Sequence, residues 1–263
     1  MNIIITNPLK ADQFASIFQH IKLFSEHVNV IFDQEKMYLQ AMDGSRVSIF
    51  ELYIPKGWFD TYVLEGEANH CLGINSTILF RILNTYEKGQ VMNLVFDTEN
   101  SDRLEIHFTN NDATVKNVFD KHFELPLMDI ENELMNIPDF ESQADILIPS
   151  NKFSNMIGQL KLFGDSMEIE CSEEKIMLAA SSLDAGKMYV EIKFDDLQSY
   201  SINEGQEVKL SFGLTFLHNI CYYSKLAKNV ELKITENYPM KITYDLGDDA
   251  KIMYYLAPKI SDD

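Results

Sequence analysis

Apolar positions recur along this chain with two periods. Phe14, Ile17, Phe18 and Ile21 follow three- and four-residue spacing, which predicts an amphipathic helix over 8–24. A β-branched run at 2–6 precedes it and reads as a strand. Strands are predicted next at His27–Phe32, Lys36–Met42 and 47–54, the last two joined by the turn Asp43-Gly44-Ser45. A strand at 70–74, a second helix at 76–86 and strands at 91–96, 104–108 and 114–125 complete the first half. The stretch 127–143, LMDIENELMNIPDFESQ, then breaks the pattern. Its five acids, lack of bases and Pro138 predict an extended, solvated connector. Beyond it come a strand at 146–148, a helix at 150–163 and strands at Ser166–Cys171, 175–180, 187–194 and 207–211. A helix at 212–225 and strands at 230–235, 240–244 and 251–256 finish the chain.

The second half repeats the first. FASIFQHIKLF at 14–24 aligns with FSNMIGQLKLF at 153–163, an offset of 139, and 35–39 falls on 174–178 at the same offset. Carried further, this register sets 76–86 against 215–225. A repeat of that length is a duplicated domain and no solenoid unit. The expected division is an N-terminal domain 1–126, a connector 127–143 and a C-terminal domain 144–263. Two helices and eight or nine hairpin-rich strands per half predict an α+β class with antiparallel sheets.

Composition and charge sharpen the picture. With 46% hydrophobic residues, 263 residues can bury two cores. No apolar run approaches the roughly 18 residues of a membrane span, so no membrane partner is expected. Three cysteines without CxxC spacing predict unpaired thiols in a reducing compartment. A net charge of −19 argues against nucleic acid, yet the charge is segregated. The four predicted helices carry Lys10, Lys22, Arg81, Lys152, Lys161 and Lys225 against one acid, Asp12, leaving −24 on the remainder. Ala15, Gln19 and Lys22, and likewise Ser154, Gly158 and Lys161, lie opposite the apolar faces, as a surface turned to a polyanion requires. So few cations predict weak, salt-dependent contact. The six histidines form no HxxxH or HExxH pair, no cysteine pair has zinc spacing, and no phosphate-binding glycine loop occurs. The acidic turn at 97–102 lacks the glycine of a calcium loop. No metal, cofactor or enzymatic activity is expected.

Four stretches carry a family resemblance: LQAMDGSRVSIFEL at 39–52, GWFDTY at 57–62, LMDIENELMNIP at 127–138 and MYYLAPKI at 253–260. They resemble the proliferating cell nuclear antigen family, the DNA sliding clamps of eukaryotes, archaea and some large DNA viruses. The resemblance implies a closed homotrimeric ring of six like domains, with the helices and their six cations facing an encircled, sequence-independent duplex. It implies a head-to-tail interface between an edge strand bearing Phe119, Phe123 and Leu125 and one near 176–183 bearing Met177 and Leu183. It also implies that DNA polymerase, clamp loader, ligase and nuclease dock through QxxLxxFF-like peptides. The matching positions are Met42, Arg46, Val47 and Ile49, Met135, Ile137 and Pro138 in the connector, and Pro239, Tyr255, Ala257 and Pro258. Localisation would be the nucleus, or a viral replication compartment.

The chain departs from the family in places. Arg46 replaces a common histidine, which points towards acidic peptides. Ala15, Ser16, Asn84, Asn155, Gly158 and Thr215 stand at usually basic positions, and Glu173 stands where eukaryotic members carry a ubiquitin-modified lysine. A second reading keeps the fold but makes the protein a monomeric or dimeric processivity subunit that grips DNA by charge. A third, an acid-pair hydrolase, has no motif behind it.

Overall fold

A computed structural model describes residues 1–66, 69–100, 102–110, 117–131, 134–138 and 140–259. The chain divides into two compact units: 1–44, 51–134 and 247–250 in one, and 45–50, 135–246 and 251–263 in the other.

In the first unit, helix α1 (Pro8–Ile21) starts where the Asn7 side chain accepts from the Leu9 amide at 2.9 Å and Pro8 supplies a preset φ. It buries Ala11, Phe14, Ile17, Phe18 and Ile21. Helix α2 (Ser76–Leu83) is capped by Asn75, which accepts from Ile78 at 3.0 Å. The strands are β1 (Asn2–Ile5), β2 (His27–Phe32), β3 (Lys36–Met42), β4 (Ser48–Pro55), β5 (Thr61–Val63), β6 (His70–Asn75), β7 (Gln90–Val95), β8 (Arg103–Asn110) and β9 (Lys121–Pro126). They run in the orders β5-β1-β7-β8-β9 and β4-β3-β2-β6.

The second unit repeats this plan. Its elements are β10 (Ala144–Pro149), α3 (Ser150–Leu160), β11 (Ser166–Cys171), β12 (Ile176–Ser182), β13 (Gly186–Ile192), β14 (Ser199–Ile202), β15 (Val208–Gly213), α4 (Leu214–Ile220), β16 (Asn229–Ile234), β17 (Met240–Gly247) and β18 (Ala250–Leu256). The orders β14-β10-β16-β17-β18 and β13-β12-β11-β15 match the first unit strand for strand.

The register needs one correction. The offset of 139 holds for Phe14 and Phe153, Met37 and Ile176, and Leu39 and Leu178, all buried. After the hairpin that follows, the matching buried pairs are Ile54 with Ile192, Leu79 with Leu217, and Ile82 with Ile220, an offset of 138. Strand periodicity makes the difference decisive, because a one-residue slip turns core side chains to solvent. The helix expected over 212–225 is also shorter. Phe212 and Gly213 finish β15, and 221–225 tighten into a 3-10 turn. Strands β5 and β14 lie outside the expected elements; each is short and follows a 3-10 turn, Lys56–Trp58 or Phe194–Asp196. Of the strand expected over 114–125, residues 114–116 lie outside the described residues and β9 begins at Lys121.

The early connector is less free than its composition suggests. The Leu127 amide donates to the Asp102 carbonyl at 2.8 Å, Met128 donates to Gly73 at 2.9 Å, and Asn29 Nδ2 donates to Ile130 at 3.0 Å. Residues 127–130 thus lie along β2 and β6. A Cβ on Gly73 would sit 2.1 Å from the Met128 carbonyl oxygen. Gly73→Ala is therefore expected to push this segment off at a cost of about 1–3 kcal/mol. An earlier urea transition and faster protease cleavage within 127–131 would register it.

Candidate functional site

Four helices and the turns that end them carry the predicted DNA-facing cations. Lys22 and Lys161 are the C-caps of α1 and α3, at equivalent, exposed positions where a cation also offsets the helix dipole. Arg81, Lys152 and Lys225 are exposed as well. Lys22 Nζ lies 4.8 Å from the centre of the Phe80 ring, which ties α1 to α2 without burying the charge. Lys10 departs from the expectation. Its ammonium pairs with Asp248 at 2.7 Å, donates to the Trp58 carbonyl at 2.7 Å and lies over the Trp58 ring. It anchors the buried Trp58 turn, and five cations remain. His218 on α4 adds no charge at neutral pH, because burial and then the Lys161 charge lower its pKa.

Two sheets end in strands that suit an intermolecular contact. Strand β9 is terminal in its sheet, and β13 is terminal in the second unit's four-stranded sheet. Near β9, buried Gln90 holds the Phe119 carbonyl at 2.8 Å while the Phe119 side chain stays 71% exposed. Phe123 is half-buried with its ring 5.8 Å from that of Phe108. On β13, Tyr189 is 68% exposed, and Leu183 projects fully from the preceding turn. Two expected interface residues are displaced. Leu125 is fully buried in its own unit's core, so its side chain has no outer face. Met177 lies on β12, paired with Glu170 on one side and Glu191 on the other, so it cannot form an edge. The hairpin strand that follows, β13, is the edge, and it brings in Tyr189. The two arms of a hairpin look alike in sequence, which hid this.

The residues expected to dock partners converge in part. Ile137, Pro138 and Tyr255 line one cavity of about 190 Å³ with Phe140, Lys233 and Lys241. Phe140 stacks on Tyr238 at 5.0 Å, which pins the late connector beside Pro239. The Ala257 amide donates to the Val47 carbonyl at 3.0 Å, and Lys259 donates to Ser211 at 2.7 Å, so the tail and the Val47 segment are fastened together. Val47, Ile49, Met135, Pro239, Ala257 and Pro258 are half-buried in the same unit. Arg46 is exposed at φ 59°, a left-handed turn position. Met42 belongs to the first unit, half-buried on β3. A pocket this size lies below the roughly 300–1,000 Å³ of small-molecule sites, so it accepts a side chain or two.

Reactive chemistry is weak elsewhere. Burial pushes the Cys171 and Cys221 thiols up to about 12 and raises Cys71. Among the described residues, no group of three or more His, Cys, Asp or Glu is arranged to hold a metal ion.

Known proteins agree with this architecture. Residues 9–134 match the family model described as proliferating cell nuclear antigen, N-terminal domain, and 136–259 match the one described as its C-terminal domain. The proliferating cell nuclear antigen of Chaetomium thermophilum is 27% identical, with 97% of each chain covered. The boundary between the two matches coincides with the one between the compact units, in the middle of the connector. The chain belongs to the proliferating cell nuclear antigen family, and so to the DNA sliding clamps.

Proposed function

We propose that three copies of this chain close head to tail into a ring around duplex DNA, and that the ring tethers replication enzymes to it. The carrying observation is that one chain owns two unlike terminal strands, β9, preceded by the exposed Phe119, and β13, which carries the exposed Tyr189. Joining β9 of one copy to β13 of the next satisfies both edges, and a heterologous contact that repeats must close or polymerise. Within the ring the acid-poor helices line the hole. Their few cations touch phosphates weakly, and topology does the holding. A monomer or dimer gripping DNA by charge fits less well, since with Lys10 tied down only five of the six helix cations are free.

Polymerase, clamp loader, ligase and nuclease dock by short peptides whose apolar anchor enters the Ile137–Tyr255 pocket. The protein acts where DNA replicates, which is the nucleus in a cellular setting. Truncating one pocket wall should be enough to see this. Ile137→Ala is expected to weaken a QxxLxxFF peptide by about 1.4 kcal/mol, roughly tenfold, while the native mass stays unchanged. Unchanged peptide affinity would remove the pocket from the docking site.

A further inference from the structure

The docking pocket carries two lysines that its apolar anchors do not explain. Lys233 on β16 and Lys241 on β17 are direct cross-strand partners, and both line the cavity beside Ile137, Pro138 and Tyr255. Like charges facing each other across a ladder repel. The neighbouring carboxylates compensate on one side only: Asp145 and Glu231 lie 3.8 and 3.9 Å from Lys233, at the outer limit of an ion pair. Lys241 makes no ion pair among the described residues, and its ammonium stands 5.5 Å from the centre of the Tyr255 ring. The result is an aromatic and aliphatic wall with a pair of positive charges at its rim. We infer that the pocket selects peptides in which a carboxylate flanks the aromatic anchor, with Lys233 and Lys241 as the residues that read it.

The anchor ring would pack against Tyr255 and Pro138, and the adjacent Asp or Glu would relieve the repulsion between the two ammonium groups. A carboxylate between two donors forms charge-assisted hydrogen bonds, stronger than neutral ones. This selectivity rests on the peptide-docking reading proposed above, and the test separates the two. Two synthetic peptides share a QxxLxxFF core and differ only in residues flanking the aromatic pair, Glu in one and Gln in the other. Their affinities for the full-length protein are measured by fluorescence anisotropy at 50 and 500 mM salt. The Glu peptide should bind about tenfold tighter at low salt, with the gap shrinking at high salt. Lys233→Gln and Lys241→Gln together should reduce the gap between the two peptides to within about twofold. Equal affinity of both peptides for the unaltered protein overturns the selectivity and leaves docking intact. Failure of both peptides to bind overturns docking, and the selectivity falls with it. A gap that persists in the double variant shows that other residues read the acid and overturns the assignment to these lysines.

Discussion

Tyr189→Asp should break the proposed ring into single chains. Tyr189 is 68% exposed on the terminal strand β13, so its own unit's core does not depend on it. In the proposed ring the same side chain would lie against β9 of the next copy, where a carboxylate without a partner costs about 3–5 kcal/mol. Every interface of a closed ring carries the change, so each link weakens together. Sedimentation at micromolar concentration should report a single 30.3 kDa species with an unchanged circular dichroism spectrum. A variant that keeps the wild-type mass would place the contact on other surfaces. Phe123→Asp makes a useful second case but a less clean one, because Phe123 also packs on Phe108 inside its own unit.

Reversing the two equivalent C-cap lysines, Lys22→Glu with Lys161→Glu, should have the next largest effect. Both side chains are exposed, and both sit at the ends of helices proposed to line the hole. Each reversal also sets an anion against a helix C-terminus, at about 0.3–1 kcal/mol, which the fold can absorb. Duplex binding at low salt should nearly vanish. In milder Lys→Gln versions the slope of log affinity against log salt should flatten by about 0.9 for each phosphate contact removed. The ring mass should not change. Full duplex affinity in the reversed variant would mean that DNA contacts a different face.

Much of the fold was legible because each unit is built from local periods. Strands β2, β3 and β11 fall where alternation set them, and α1, α2 and α3 start within a residue or so of their predicted positions. What escaped was set by pairing across the chain. Strand β5 has three residues and β14 four, too few to show a period, and only their partners β1 and β10 define them. Choosing β13 over β12 as the edge requires knowing that β12 is already paired on both sides. The connector's acids spoke for solvent, while the close approach of Met128 to Gly73 decided its path.

The site followed the same rule. Ile137, Pro138 and Tyr255 came from the resemblance and meet in one pocket, but Lys233 and Lys241 become neighbours only through the β16–β17 register. Lys10 looked like its fellow helix cations until Asp248, distant in sequence, was placed beside it.

The closed ring is tested most directly by the native mass of the unaltered protein, measured by analytical ultracentrifugation over a dilution series at 50 and 500 mM salt. A species of three times 30.3 kDa that persists at both salt concentrations is the predicted result, because the proposed contact would join two strand edges through backbone hydrogen bonds that salt screens little. A 30.3 kDa monomer or a dimer throughout would contradict the ring and leave charge as the means of holding DNA.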